Sequence, residues 1–486
     1  MTGNKSKFFK GVSVQSAITI TIGLMELIVF SLMSRLLSKS DFGYFAALSG
    51  ITTICTSITE AGLGSAIIQK KDASFSFIQT AFSLSWIFGG LGSIILFVFA
   101  PSIAGMIADQ HLTLPLRVMS INIFLACIAS VGKSILVRNL KFKIYGTYEI
   151  IAYASSSFIG IVLAFLDFGL YAIVSISICN LILLNIMLYF RQIKLPKMRV
   201  VKKEIKDIMS FGGWLTLSVV VNNITQQMDR LFLSKWLSVS ILGSYNRPAG
   251  FVSTITGKIN GIFDMVLFPM LSKIQDDPLK IKNVFTQALR LLNSFSAVLF
   301  AIFFFNAELI ITVFFGKDWL ELTPILRIIS VYIIFNIDNR LVDCFFRSLG
   351  YVDIGFYIRV VSAILTFSSL YIGAKYGLYG VAVSLVCANI ITVIIKIIVL
   401  SRKVNVNLFT VVKSFFIAEK PLIPLIIIGI PFLFFAGHSL IENIVFAIIM
   451  SIIICVQFIL FPKTVSYEYT QMVYPLVRKG LNKIRR

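Results

Sequence analysis

The chain has 486 residues, 57% of them hydrophobic and 14% charged, with a mean hydropathy of +0.91 and a formal net charge of +22 at pH 7. So apolar a chain is excluded from the ordinary water-soluble class and belongs with polytopic membrane proteins. The positive surplus does not point to nucleic acid, because it is gathered in short connections between apolar runs.

Apolar runs of roughly 18 or more residues, each long enough to cross a bilayer core, recur from end to end. No alternating ten-residue pattern of a barrel is present, so the expected fold is all-α, with about fourteen spanning helices. The N-terminal MTGNKSKFFK lacks a small-residue cleavage site, and Val12 onward reads as a first span, not a removed signal. Six spans are expected at Val12 to Leu37, Phe42 to Ile68, Ile78 to Ala104, Leu112 to Val137, Ile150 to Phe165 and Leu170 to Tyr189. A basic linker, Arg191 to Asp207, follows this lobe of residues 1–190. Six more are expected at Ile208 to Trp236, Ile241 to Ile274, Val284 to Phe315, Leu322 to Phe346, Ile354 to Ala374 and Leu378 to Leu400, a second lobe of residues 208–400. Residues 401–420 read either as a short helix lying on the inner leaflet or as a plain loop. Two final spans, Pro421 to Ala436 and Ile441 to Phe461, precede a basic tail over residues 463–486.

Placing both termini inside concentrates Lys and Arg in alternate connections on the inner side, as the positive-inside rule requires. The outer connections are short, leaving no room for an outer soluble domain. The six cysteines all lie in apolar runs and read as small core residues without a disulfide frame. His111 and His438 are far apart, so no metal site is expected. No Gly-rich phosphate loop or nucleophile-base arrangement is present, which argues against an enzyme and a cofactor.

The chain repeats itself. SRLLSKSDFGYF (Ser34 to Phe45) returns as SKWLSVSILGSY (Ser234 to Tyr245), FGLYA (Phe168 to Ala172) as YGLYG (Tyr376 to Gly380), and RNLKFKIYG (Arg138 to Gly146) as RSLGYVDIG (Arg347 to Gly355). With six spans in each copy, the copies are expected to be parallel repeats that face each other across a binding site.

Candidate site residues are the polar and charged groups inside the spans. In NNITQQMDR, Asn222, Asn223, Gln226, Gln227, Asp229 and Arg230 fall on one half of a helix advancing about 100° per residue. Such a face is tolerated in lipid only against protein or water. Either it lines a lumen, or the amides hold helices together while Asp229 neutralises Arg230. Arg247, Thr254 and Lys258 stack on one face of the eighth span, where Arg247 either joins the lumen or snorkels to the outer interface. Asn336, Arg340, Asp343 and Arg347 form a stripe on the tenth, where Asp343 has the option of pairing with Arg340 and Arg347. In the first half Gln15, Thr19 and Glu26 share a face, as do Asn122 and Lys133. Glu26 reads as a coupling carboxylate or as the partner of Lys133; Asp264, Asp229 and Glu60 are further carboxylates of the same kind. Cations in excess of nearby carboxylates suit a phosphorylated substrate, and the amides beside them suit sugar hydroxyls.

The pattern from Asn223 to Tyr245, together with MSRLLSKSDFGYF (Met33 to Phe45) and EAGLGSAIIQKKD (Glu60 to Asp72), resembles the Wzx-type oligosaccharide flippases of the multidrug/oligosaccharidyl-lipid/polysaccharide exporter superfamily. The resemblance runs over essentially the whole chain. It implies an inner-membrane protein that moves undecaprenyl-pyrophosphate-linked oligosaccharide outward by alternating access. Membrane lipids are its surroundings, and the polymerase and chain-length regulator of the pathway are further candidate partners. The alternative is an ion-coupled drug exporter of the same superfamily, whose cationic cargo would favour an anionic cavity.

Overall fold

The computed structural model describes every residue except 1, 61, 71–73, 107–109, 140, 193–197, 209–219, 222, 225, 228–238, 436–438, 466–467, 475–477 and 479–486. Every regular element among the described residues is helical. Eleven of these helices are long and apolar enough to cross a membrane, or up to 12 if one bent pair counts as a single span. The expected count of about fourteen is therefore not reached among the described residues. The seventh expected span falls largely outside them.

The chain divides into two compact units, Met1–Arg247 and Pro248–Arg486. The first contains α1 (Thr2–Leu36), α2 (Lys39–Glu60), α3 (Leu63–Gln69), α4 (Phe75–Met106), α5 (Thr113–Arg138), α6 (Phe142–Phe165), α7 (Leu170–Ile186), a short α8 over residues 202–208 and the start of α9 (Val239–Lys273). Here α5 is central, packed against α4, α2, α7 and α3, while α1 lies along α6 and α6 pairs with α7. Phe77 and Phe82, Ile128 and Val131, and Tyr145 and Tyr189 form much of one core. Tyr189 donates its hydroxyl to the Ile128 carbonyl at 2.7 Å, because a phenol buried away from water must find an acceptor inside the protein.

The second unit contains α10 (Pro278–Phe305), α11 (Ala307–Phe314), α12 (Thr323–Ser348), α13 (Val352–Ala374), α14 (Gly377–Lys403), α15 (Leu408–Ala418), α16 (Leu422–Phe435), α17 (Leu440–Ile459) and α18 (Pro462–Val465). Helix α10 packs against α12, α15 and α16, and α14 against α12 and α13. Phe285, Leu289, Leu341 and Phe345 knit α10 to α12, while Phe305, Leu425, Phe446 and Met450 dock α16 and α17. Local sequence sets the helix starts. Asp277 accepts from the Lys280 amide ahead of Pro278, Asn407 accepts from the Phe409 amide, and Ser439 with Glu442 forms a capping box.

The repeat is visible in this order of elements. Arg138 and Arg347 sit in the last turns of α5 and α12, each followed by a helical hairpin. Gly169 and Gly377, equivalent in the repeated motif, both take positive φ, at 51° and 68°, where α7 and α14 begin. Gly243 packs tightly: a Cβ there would run into the Lys39 carbonyl oxygen and lie 2.9 Å from the amide nitrogen of Gly43, its own counterpart in the first copy. Only a glycine lets the start of α9 pack this tightly on α2.

Several boundaries differ from expectation, beginning with α1, which starts at Thr2, ahead of Val12. The second expected span, Phe42 to Ile68, divides into α2 and α3 at Gly62, whose left-handed φ of 66° a helix cannot carry. The ninth, Val284 to Phe315, divides at Asn306, which turns its side chain to the Ile302 carbonyl at 3.0 Å. The fifth begins at Phe142, ahead of Ile150. The cysteines are free, but Cys387 and Cys455 are exposed, which corrects the reading of all six as core residues.

The basic linker is pinned to the first unit. Ile205 and Ile208 of α8 pack into the core beside Tyr189. The Arg199 amide donates to Ser83 Oγ at 2.9 Å, and Lys70 Nζ bonds Asp207 Oδ2 at 2.8 Å and Glu204 Oε2 at 3.2 Å. The bond from Lys70 holds Asp207 below the usual carboxylate range. Burial pushes Glu204 up, but bonds from Lys70, Ser76 and Ser74 outweigh it and leave the group lowered. Lys70 is raised in turn, first by its bond to Asp207. Depressed carboxylates contribute stability above their unfolded values, lost as pH falls through the lower folded ones. A raised lysine contributes below its unfolded value and loses this as pH rises through the higher folded one. Hydrogen-exchange protection at residues 199–208, taken relative to the intrinsic exchange rate at each pH, is therefore expected to be greatest between about pH 4 and pH 10 and to fall outside that window. Lys70→Ala should quicken exchange within the window; unchanged exchange would refute the pinning.

Candidate functional site

Polar groups converge inside each unit. In the first, Arg247 on α9 is 7% exposed, with its guanidinium 3.6 Å from the Phe30 ring centroid and 3.4 Å from that of Phe42. Its Nη2 donates to the Phe30 carbonyl at 3.0 Å and to Ser34 Oγ. Two aromatic faces and two oxygens thus supply what a carboxylate would otherwise give, each face contributing about 2 kcal/mol when desolvated. Snorkelling to an interface is excluded by this burial.

Asn223 donates to Ser57 Oγ at 2.5 Å, Gln227 is buried and Gln226 is exposed. Lys133 is exposed on α5, with its Nζ 5.1 Å from the Tyr145 ring centroid. The carboxylate in its electrostatic reach is Glu60. Glu26 on α1 is half-buried, and its electrostatic neighbour is Tyr153 on α6. Asn122 donates to Ser177 Oγ at 2.9 Å. Asn222, Asp229 and Arg230, and the side chains of Gln15 and Asp264, lie outside the described residues.

The second unit holds the denser cluster, built on one face of α12. Residues three and four apart on a helix lie one above the other, so Asn336, Asn339, Arg340 and Asp343 share a face. Lys396 of α14, 4% exposed, reaches this face and donates to Asn339 Oδ1 and Asp343 Oδ1, both at 2.7 Å. Asn260 of α9 donates to Asn336 Oδ1 at 2.9 Å. Arg340 on α12 and Arg359 on α13 are electrostatic neighbours of the same lysine. Arg340 is exposed, Lys258 half-buried, and each interacts with nearby groups. Asp343 pairs with Lys396, whereas Arg347 donates Nε to the Asp343 backbone carbonyl at 3.3 Å. The intrahelical ion pairs considered for Asp343 give way to this interhelical one, which buries the lysine between α12 and α14.

Lys396, Asn260, Asn339 and Arg359 were not among the expected site residues. The signal for Lys396 was an ionisable group inside VIIKIIVL (Val393 to Leu400), a lone cation in an apolar run. No group of three or more metal-ligating side chains occurs among the described residues. An apolar groove of about 450 Å³ beside α11 and α17 contains none of these polar groups.

A family model described as polysaccharide biosynthesis protein matches residues 32–324, more than half of the chain. The chain belongs to the polysaccharide biosynthesis protein family. Among its relatives, the lipopolysaccharide biosynthesis protein WzxC of Escherichia coli is 23% identical over 400 residues, spanning 81% of this chain and 80% of the relative. The succinoglycan biosynthesis transport protein ExoT of Rhizobium meliloti is 23% identical over 430 residues, 86% of this chain and 84% of the relative. The fold is shared with the lipid II flippase MurJ in an inward closed conformation, at a TM-score of 0.72 and 18% identity, covering 91% of this chain and 98% of that one. This is the fold and family of Wzx-type transporters, so the chain is a membrane transporter and not an enzyme of polysaccharide assembly.

Removing one partner of a buried ion pair costs about 3–5 kcal/mol, because the other charge is left in the interior. Lys396→Met is therefore expected to lower the thermal unfolding midpoint in detergent. Adding Asp343→Asn should recover most of the loss. Additive losses in the double variant would contradict the pairing.

Proposed function

We propose that this family member flips an oligosaccharide linked to undecaprenyl pyrophosphate from the cytoplasmic to the outer face of the bacterial inner membrane. The head group crosses along polar, cationic side chains by alternating access, while the polyprenyl tail stays in lipid. Residues 1–190 and 208–400 are taken as the lobes, residues 191–207 as the cytoplasmic linker between them, and both termini as cytoplasmic.

The observation that carries this reading is the position of Arg340 and Arg359 beside the amide-rich face of α12 that carries Asn336 and Asn339, a face that the closed Lys396–Asp343 pair holds against α14. Guanidinium groups donate in forked pairs to phosphate oxygens, and this attraction strengthens where water is scarce. Carboxamides both donate and accept, which matches the hydroxyls of a sugar. In this reading Arg230, Lys258, Asn222, Asn223, Gln226, Gln227 and Lys133 are further cargo-binding residues. Arg247 takes a positioning role. The names of the relatives, which concern lipopolysaccharide, succinoglycan and lipid II, support a lipid-linked sugar as cargo.

The test is flipping of a labelled undecaprenyl-pyrophosphate oligosaccharide by the full chain in proteoliposomes. Arg230→Ala and Arg340→Ala should each insert normally and lower the rate at least about tenfold, equivalent to about 1.4 kcal/mol. Arg→Lys at either position should retain more activity if charge alone matters, and as little as alanine if forked recognition is required. Full flipping by the double alanine variant would overturn the proposal.

A further inference from the structure

A second polar centre lies in the second unit, away from the Lys396 cluster. Asp338 of α12 is fully buried. Asn293 of α10, also fully buried, donates Nδ2 to Asp338 Oδ1 at 3.0 Å, and Oδ2 has no hydrogen-bond partner. Glu419 occupies the break between α15 and α16, where the chain bends by 56°. Both of its carboxyl oxygens are buried, and neither accepts a hydrogen bond among the described residues. The carboxyl groups of Asp338 and Glu419 are electrostatic neighbours.

Among the described residues, no cation is hydrogen-bonded to this pair. Arg290 of α10 donates Nε to Ser414 Oγ at 3.0 Å and Nη1 to Glu468 Oε1 at 3.2 Å, so it serves α15 and the C-terminal segment. Asp343, further along α12, is held by Lys396 of α14. Lys413 and Lys420, on either side of Glu419 in the chain, are exposed, and α16 has no charged residue. An ionised carboxylate with no donor in a dry interior is strongly disfavoured, and two neighbouring ones more so. A carboxylic acid has a hydroxyl to donate and no net charge to solvate, which removes both objections.

We propose that Asp338 and Glu419 form a proton-binding carboxyl pair, with Asn293 fixing the orientation of Asp338 and the break between α15 and α16 holding Glu419 within its electrostatic reach. The protons come from water and return to it, one per carboxyl group, with no other bond made or broken. The location has a physical rationale. At a helix break the ladder of backbone bonds is interrupted, so the segment is able to admit water or shift its partners when a proton leaves. The site does not depend on what the protein transports. Its use as the coupling site for flipping rests on the function proposed above.

Infrared difference spectroscopy on the full chain in lipid nanodiscs, without substrate, tests the site directly. The wild type should show a protonated carboxyl stretch at neutral pH that disappears as pH is raised. Asp338→Asn and Glu419→Gln should each remove part of it. Carbon-13 labelling of aspartate in the unaltered protein should shift the Asp338 part, a readout that survives if the Asp338 variant fails to fold. Absence of the band at neutral pH, or a band indifferent to both variants and to the label, would overturn the proposal. So would a band abolished by sodium at constant pH, since the ligand would then be a metal ion. Loss of flipping with the band intact would count against the function proposed above and leave the proton site standing.

Discussion

A charge inside a bilayer must be answered by the protein itself, because the hydrocarbon supplies neither counterions nor hydrogen-bond donors. Much of the interior can be read as a set of answers to that requirement. Arg247 is answered by two aromatic rings and two oxygens, Lys396 by an aspartate and an amide, and Asp338 by one amide on one oxygen. These solutions differ in completeness. The pairing of Lys396 is closed and locks α12 to α14, whereas Asp338 and Glu419 retain oxygens that no side chain among the described residues satisfies. Structural and functional polar groups are separated on this physical basis, since a complete answer stabilises a fold and an incomplete one leaves room for a ligand.

The repeat explains how one chain comes to carry several such interiors. Equivalent glycines recur where a backbone must turn, at Gly169 and Gly377, and where backbones must touch, at Gly43 and Gly243. The first copy contributes the aromatic and serine residues around Arg247. The second contributes a face of α12 rich in amides and cations. Duplication supplies the scaffold, and the polar residues that differ between the copies give each its chemistry.

The all-helical architecture was legible in the sequence, because runs of apolar residues longer than a bilayer leave few alternatives. Helix ends were less legible. The break at Gly62 depends on one left-handed residue inside an apolar run, and hydropathy does not register it. Of the stripe on α12, Asn336, Arg340 and Asp343 were readable because they lie on one helix at regular spacing. Their partners were not readable, since Lys396 and Asn260 come from helices far away in the chain, and helical spacing gives no information across such distances. For the same reason Asp343 invited pairing with neighbours on its own helix, when its cation comes from α14. Asp338 and Glu419 are single carboxyl groups in different helical contexts, and only the packing of α10, α12 and α15 makes them a pair.

Central to this account is the sign of the charge that the interior is built to receive. In the function proposed, cations and amides in the second unit receive a phosphorylated sugar and oppose a cationic cargo, so affinity is its most direct test. The decisive measurement is equilibrium binding of the full chain in nanodiscs to a pyrophosphate-linked lipid oligosaccharide, in competition with a hydrophobic organic cation. The predicted result is saturable binding that weakens as salt rises and is not displaced by the cation. Displacement of the lipid oligosaccharide by the organic cation, or saturable binding of that cation alone, would contradict the account.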